Sequence, residues 1–266
     1  LGRSERAACR VVGLCRATWQ YRSQKKRDDG LLKAAICKVA ERRRRFGQRR
    51  VFLMLRREGW ADGRHRISRV YRELGLSLRV KRRRKRAASV RVPMPAASRP
   101  YQTWSIDFVH DRLASGRVLK CLVVVDEYSR VCLALEVDFG ISGERVIRVL
   151  DRAIELYGKP EAIRSDNGPE FAGNAMDAWA YKTGVKLDFI QPGKPTQNAF
   201  CESFNGKFRE ECLNDNQFQT LVEAQVVIET WRKDYNDERP HSSLNGLTPS
   251  EFAARITNPL PQLDLA

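Results

Sequence analysis

Three acidic residues of this 266-residue chain stand where ionised side chains could hold a cation. Asp107 lies inside an apolar, strand-like run between Ile106 and Phe108, where an ionised carboxylate is costly unless something binds it. Asp166 follows the short strand signal at 161–165 in "IRSDNGPEF", and a loop at the carboxyl end of a strand is a common place for a metal-binding carboxylate. Glu202 falls in the first turn of a helical pattern, with 35 residues between it and Asp166. Each acid also has a structural reading. Asp107 could cap a strand end, Asp166 could begin an Asx-turn through Asn167 and Gly168, and Glu202 could favour a helix N-terminus through the macrodipole. Asp126 is a rival acid, but its place at a hairpin turn favours a structural role. The joint arrangement of Asp107, Asp166 and Glu202 in one domain is what points to a site.

The elements that must position them can be read from the same stretch. The runs "TWSIDFVH" (103–110), "VLKCLVVVDE" (118–127) and "RVCLALEVD" (130–138) are β-rich, and the gap from Asp126 to Arg130 suits a hairpin. An amphipathic helix from about Ser142 to Tyr157 follows, then a strand at 161–165, a helix near 170–182 and a strand at 185–190. A loop, "QPGKPTQ", leads into a long helix from about Asn198. Three strands followed by alternating helix and strand predict an α/β fold, a mixed sheet with helices on its faces. On the last helix, Arg209 falls almost beneath Glu202 and Asn205 lies on the same side, while Phe200, Phe204 and Phe208 form a stripe opposite. That stripe can be buried while Glu202 faces a polar cleft.

Charge divides the chain. Residues 1–100 carry 31 Lys and Arg against 7 Asp and Glu, whereas residues 101–266 carry 18 against 25. A surplus so concentrated suggests a polyanionic partner, nucleic acid being the commonest. Around Gly13, "SERAACRVVGLCRATWQYR" (4–22) has two short helical patterns that suit a helix-turn-helix or an ordinary helical hairpin, the second helix carrying Arg16, Thr18, Gln20 and Arg22. Residues 31–76 read as three more helices, with Phe52, Leu55, Ile67, Val70, Tyr71 and Leu74 as buried stripes and Arg49, Arg50, Arg69 and Arg72 on the wet sides. The run "KRRRKR", beginning Lys81, Arg82, Arg83, Arg84, is expected to track phosphates. An Ala/Ser/Pro stretch after it reads as a linker. The expected division is a basic helical region at 1–86, a linker at 87–100, a catalytic core at 101–214 and a helical extension at 215–266.

Seven cysteines without a C-x-x-C pair and three histidines make a zinc site improbable and suit a reducing cytoplasm. No signal peptide is visible and no apolar run approaches the length of a membrane span. The chain begins at Leu1, as expected of a trimmed start or of a continuation from an upstream reading frame. His241, beside Pro240 in "RPHSSL", could reach DNA, but a packing or turn role is the favoured reading.

Here the residues carry a resemblance. "WSIDFVHD", "VVVDEYSR", "IRSDNGPEF", "QPGKPTQNAFCESFNGKFREECLN" and "YNDERPHSSLNGLTPSEF" resemble the second-frame (OrfB) product of the IS-three family of bacterial insertion-sequence transposases, whose core is similar to the catalytic domain of retroviral-type integrases. The resemblance implies an RNase H-like fold with Asp107, Asp166 and Glu202 as catalytic triad and metal ligands. The basic helices stand where retroviral integrases have a zinc module. It implies Mg²⁺ at a two-metal site, with Mn²⁺ as substitute. Water first frees a 3′ hydroxyl at the element end, and that hydroxyl then attacks another phosphodiester. No ATP is needed, and no G-x-x-x-x-G-K-[ST] loop exists. Partners implied are double-stranded DNA (terminal inverted repeats and target), further copies of the chain on DNA, and an upstream-frame (OrfA) protein. Lys207 and Arg209 would meet the scissile backbone or form a solvated helix face. The alternatives are an RNase H-like nuclease that cuts without joining, and a non-enzymatic DNA-binding remnant.

Overall fold

The computed structural model describes residues 4–22, 28–78, 96–191 and 198–257. Ser4 caps α1 (Glu5–Val11) by accepting from the Ala7 N–H, and Gly13, at φ +65°, turns the chain toward α2 (Arg16–Gln20). The turn lies at the expected glycine, but the second helix is shorter than expected. It buries none of its side chains, so no packing carries it past the extended Tyr21, and Arg22 lies beyond its end.

α3 (Gly30–Arg42), α4 (Gln48–Arg57) and α5 (Arg64–Glu73) form a three-helix unit with its own apolar cluster. Leu55, Ile67, Val70 and Tyr71 are buried in it and Phe52 and Leu74 partly buried, as their spacing predicts. Two arginines depart from the expected wet faces. Arg69 bridges Asp29 (2.8 Å) and Glu73 (2.6 Å), and Arg50 reaches Glu211 (3.1 Å), because each has a carboxylate on a neighbouring element. Arg49 and Arg72 are exposed.

The sheet runs in the order β3-β2-β1-β4-β5, from β1 (Thr103–Arg112), β2 (Val118–Asp126), β3 (Cys132–Asp138), β4 (Ala162–Ser165) and β5 (Lys186–Phe189). The first three strands are antiparallel, and β4 and β5 lie parallel to β1 and to each other, in keeping with the RNase H-like expectation. α6 (Gly143–Tyr157) and α7 (Asn174–Thr183) cover one face around Trp104, Ile106, Leu122 and Ile163. α7 starts later than the 170–182 expected from sequence, because residues 168–172 are held in a turn by Phe171 and Ala172 N–H groups donating to the Gly168 carbonyl. α8 (Ala199–Glu211) and α9 (Leu221–Asp237) cover the other face, where Phe204, Phe208, Ile228 and Trp231 meet Val109, Val123 and Val125. α10 (Pro249–Thr257) packs on α9.

The helical unit sits on the core through a row of ion pairs: Arg43 with Asp234, Arg45 with Asp215 (3.4 Å), Arg50 with Glu211 (3.1 Å) and Arg57 with Glu251 (2.6 Å). Leu53 lies so close to Gly246, at φ +84°, that a Cβ there would meet its methyl at 3.2 Å. Part of the N-terminal positive charge is therefore turned inward, onto the acidic half of the chain. All seven cysteines are free, with Cys15 exposed, Cys37 intermediate and the others buried. No helix among the described residues is long and apolar enough to cross a membrane.

Candidate active site

Strand alternation sends Ser105, Asp107 and Val109 toward α8, and Trp104, Ile106 and Phe108 to the opposite layer. Asp107 is therefore aimed at the helix that carries Glu202. One of its oxygens accepts from the Phe108 N–H (2.8 Å) and the other from the Asn205 amide (2.8 Å), which ties α8 to the central strand. Asn198, just ahead of α8, adds a second tie by donating to the Ile106 carbonyl (3.3 Å). Burial pushes the Asp107 carboxyl above the ordinary Asp range; the Phe108 and Asn205 donors oppose this, and the negative charges of Asp166 and Glu202 reinforce it. Asp107 is thus within electrostatic reach of both Asp166, which follows the adjacent parallel strand, and Glu202 on α8.

Asp166 follows the last residue of β4 and is exposed. Its Oδ1 accepts from the Gly168 N–H (3.1 Å), so the Asx-turn reading and the site reading hold together: the turn fixes the side chain and leaves it solvent-facing. A Cβ on residue 168 would stand 3.1 Å from that same oxygen, which explains the glycine. The nearby acid Glu170 pairs instead with Lys120 on β2, and Phe171 stacks on Phe108 at 4.9 Å, so both anchor the loop to the sheet. Glu202 is exposed in the first turn of α8. Phe204 and Phe208 are buried behind it, while Phe200 is only half-buried beneath the Arg130 guanidinium (3.9 Å).

Among the described residues, no group of three His, Cys, Asp or Glu side chains is close enough to hold a metal ion unaided. The donor set nevertheless fits a hard divalent cation. It offers carboxylate oxygens only, and the Asn205 Oδ1 beside Asp107 is buried without a hydrogen-bond partner. Mg²⁺ in particular binds through one or two carboxylates, completing its shell with water and substrate phosphate instead of an all-protein cage.

Asp126 is a turn residue. It is fully buried and accepts from the Tyr101 N–H (2.9 Å), the Ser129 N–H (2.7 Å) and the Ser129 hydroxyl (2.6 Å). Next to it is a group that the sequence reading missed. Glu127 accepts from Arg164 (2.6 and 2.7 Å) and from the Ser105 hydroxyl (2.5 Å) in the interior, and Ser105 and Arg164, paired across β1 and β4, each stand two residues before Asp107 and Asp166. The signal available was the parity of 105 with 107 and of 164 with 166, which puts each pair on one sheet face.

Of the basic residues singled out, Arg16 lies 3.4 Å from Glu5, Arg50 and Arg69 are paired as described, and Arg22, Arg49 and Arg209 are exposed. Lys207 is half-buried near the site. Lys81, Arg82, Arg83 and Arg84 lie outside the described residues. His241 is buried, edge-on to Tyr235 at 4.7 Å, and held neutral, its pKa down to about 2 through burial and the nearby Arg239 and Lys207 charges.

Two family descriptions match, both "Integrase core domain", over residues 97–195 and 183–249. A protein of insertion element IS407 from Burkholderia multivorans is 50% identical over 252 residues, covering 95% of this chain and 91% of that one. A protein of insertion element IS476 from Xanthomonas euvesicatoria is 45% identical over 251 residues, covering 94% and 72%. In fold, the chain is similar to a simian T-cell lymphotropic virus intasome structure, with a TM-score of 0.56 at 16% identity over 86% of this chain and 76% of that one. On these matches the chain belongs to the insertion-element proteins that carry an integrase core domain.

Proposed function

We propose that the chain is a transposase that cuts and joins DNA strands at the ends of an insertion element, with Asp107, Asp166 and Glu202 as its catalytic carboxylates. The observation that carries this reading is the placement of Asp107, half-buried on the central strand and tied to α8 through Asn205, beside the strand that Asp166 follows and the helix whose first turn holds Glu202. Such an arrangement costs stability unless a cation relieves it. Asp107, Asp166 and Glu202 would hold Mg²⁺, or Mn²⁺ in its place, at a two-metal site. Bound there, the cation neutralises phosphate charge and polarises the phosphodiester.

The remaining contributions come from the chain itself. Asn205 orients Asp107 through its amide, and the turn at Gly168 fixes Asp166. The buried phenylalanines under α8 hold Glu202 toward solvent, where a strand can reach it. Water frees a 3′ hydroxyl at the element end, and that hydroxyl attacks a second phosphodiester. One phosphodiester is exchanged for another in the joining step, so no nucleotide cofactor is required. Arg16, Arg22, Arg49, Arg209 and the 81–84 run supply phosphate contacts, with several copies of the chain and an upstream-frame protein assembling on the DNA.

The test is a nicking and strand-transfer assay with labelled element ends. Asp107→Asn, Asp166→Asn and Glu202→Gln each remove a ligand charge while keeping shape, and each is expected to abolish cleavage and strand transfer with DNA binding largely retained. Chelator should stop the reaction and Mg²⁺ restore it. Near-wild-type cleavage by any of the three variants would remove that residue from the triad, and nicking without joined product would leave a nuclease.

A further inference from the structure

Arg130 closes the turn that joins β2 to β3, and its φ is +69°. Its N–H donates to the Asp126 carbonyl (3.1 Å), so the backbone is fixed in this conformation by the hairpin itself. A hairpin turn that ends on a left-handed residue normally has glycine there, because a side chain at positive φ crowds its own backbone. An arginine kept at such a position points to a use for its side chain.

That use is not an ion pair with the acids beside it. Asp126 is engaged by Tyr101 and Ser129, and Glu127 by Arg164 and Ser105. Arg130 donates instead to the Glu127 carbonyl within its own turn, and its guanidinium lies over the Phe200 ring, 3.9 Å from the centroid. This is well inside the distance of about 6 Å at which a cation is drawn to an aromatic face, and both side chains are half-buried, which strengthens the attraction.

Phe200 belongs to the first turn of α8. No side-chain cap closes that turn, since Asn198 gives its amide to the Ile106 carbonyl of β1 (3.3 Å). Cys201 is buried against the sheet, and at about 100° per residue Phe200 and Glu202 stand on its two flanks. A roll of the turn about Cys201 would carry Glu202 with it, and the contact that opposes such a roll on the Phe200 flank is the guanidinium of Arg130.

We propose that Arg130 is a positioning residue for Glu202. By holding Phe200 on one flank of the first turn, it fixes the roll of α8 there and so the direction of the carboxylate on the other flank. This rests on the reading of Glu202 as a catalytic carboxylate.

The experiment uses the full chain and a labelled duplex carrying the element end. It measures kcat and KM for nicking in Mg²⁺, Mn²⁺ affinity from the spin-resonance signal of the free ion, and melting of every variant. Arg130→Gly relieves the positive φ and removes the guanidinium, so it should melt no lower than wild type. Its kcat should fall about tenfold with KM for the duplex unchanged, and Mn²⁺ should bind about tenfold more weakly. Phe200→Leu should show the same losses, and Arg130→Gly with Phe200→Leu no more than either alone. Phe200→Tyr, which keeps the aromatic face, should keep most of the wild-type kcat. An Arg130→Gly chain with wild-type kcat and Mn²⁺ affinity would overturn the proposal, as would losses that add in the double variant. If Arg130→Gly melts well below wild type, the two Phe200 variants decide alone, and equal activity of Phe200→Leu and Phe200→Tyr overturns the contact. Glu202→Gln separates the two readings. Wild-type nicking by that variant sinks the catalytic role of Glu202 and this inference together, whereas its inactivity beside wild-type nicking in Arg130→Gly and Phe200→Leu sinks this inference alone.

Discussion

Glu127→Gln is expected to be among the most damaging single substitutions in the core, although it changes one oxygen to an NH₂ group. Glu127 is 2% exposed and its partner Arg164 3%, and the two are joined by contacts of 2.6 and 2.7 Å. With the counter-charge removed, the buried guanidinium loses its two-point carboxylate contact, and breaking a buried pair of this kind costs about 3–5 kcal/mol. The Ser105 hydroxyl also loses its charged acceptor. For a chain of this size each kcal/mol lowers the melting temperature by roughly 2–4 °C, so a fall of about 6–20 °C is expected. Thermal and urea unfolding of wild type and variant would measure it. The paired variant Glu127→Leu with Arg164→Met removes both charges together and should recover most of the loss. A single variant within about 1 kcal/mol of wild type, or a paired variant no better than the single, would refute the argument that charge pairing is what the interior requires there.

Two further outcomes are expected. Because the folded-state Asp107 carboxyl lies above its ordinary value of 3.8, its stabilising contribution is present below that value and lost as pH rises through the folded one. Metal-free Asp107→Asn should therefore melt above wild type at pH 7, with the gap closing toward pH 4; a gap that widens in acid would contradict the burial argument. Cutting the chain at a protease site introduced between residues 86 and 96 should leave the two pieces associated at low salt through the Arg43, Arg45, Arg50 and Arg57 pairs and separate them at about 1 M salt, where the Debye length is about 3 Å. Co-elution measured at both salt concentrations checks this, and pieces that stay together at high salt would mean that apolar contact dominates.

Much of the fold was legible because each layer repeats a simple period. β-rich runs in 103–138, with a hairpin-length gap at 126–130, located three strands, and the three-to-four spacing of Leu55, Ile67, Val70 and Tyr71 located a helical stripe. The glycine-ended turn after Asp166 was legible for the same local reason. What stayed hidden depends on partners far along the chain. Arg50 looks like any other arginine on a basic helix until Glu211 and Arg239, more than a hundred and fifty residues later, are brought beside it. Arg164 lies within a run that reads only as a short strand, and the sheet order is what places Glu127 against it. The length of α2 was misread because local pattern does not show that its side chains would find nothing to pack on.

The distribution of thiols makes the protein selectively addressable. Thiol reagents attack the thiolate, and burial pushes Cys121 and Cys212 up to about 12 and Cys132 and Cys201 upward as well, so at neutral pH only about one in 10⁵ of the Cys121 or Cys212 groups is reactive. Cys201, next to Glu202, is thereby shielded both sterically and chemically. Cys15 is exposed at the start of α2, on the opposite side of the sequence from the carboxylates. A fluorophore or spin label offered to the native chain would attach there first, giving a reporter on the N-terminal helices far along the chain from the three carboxylates.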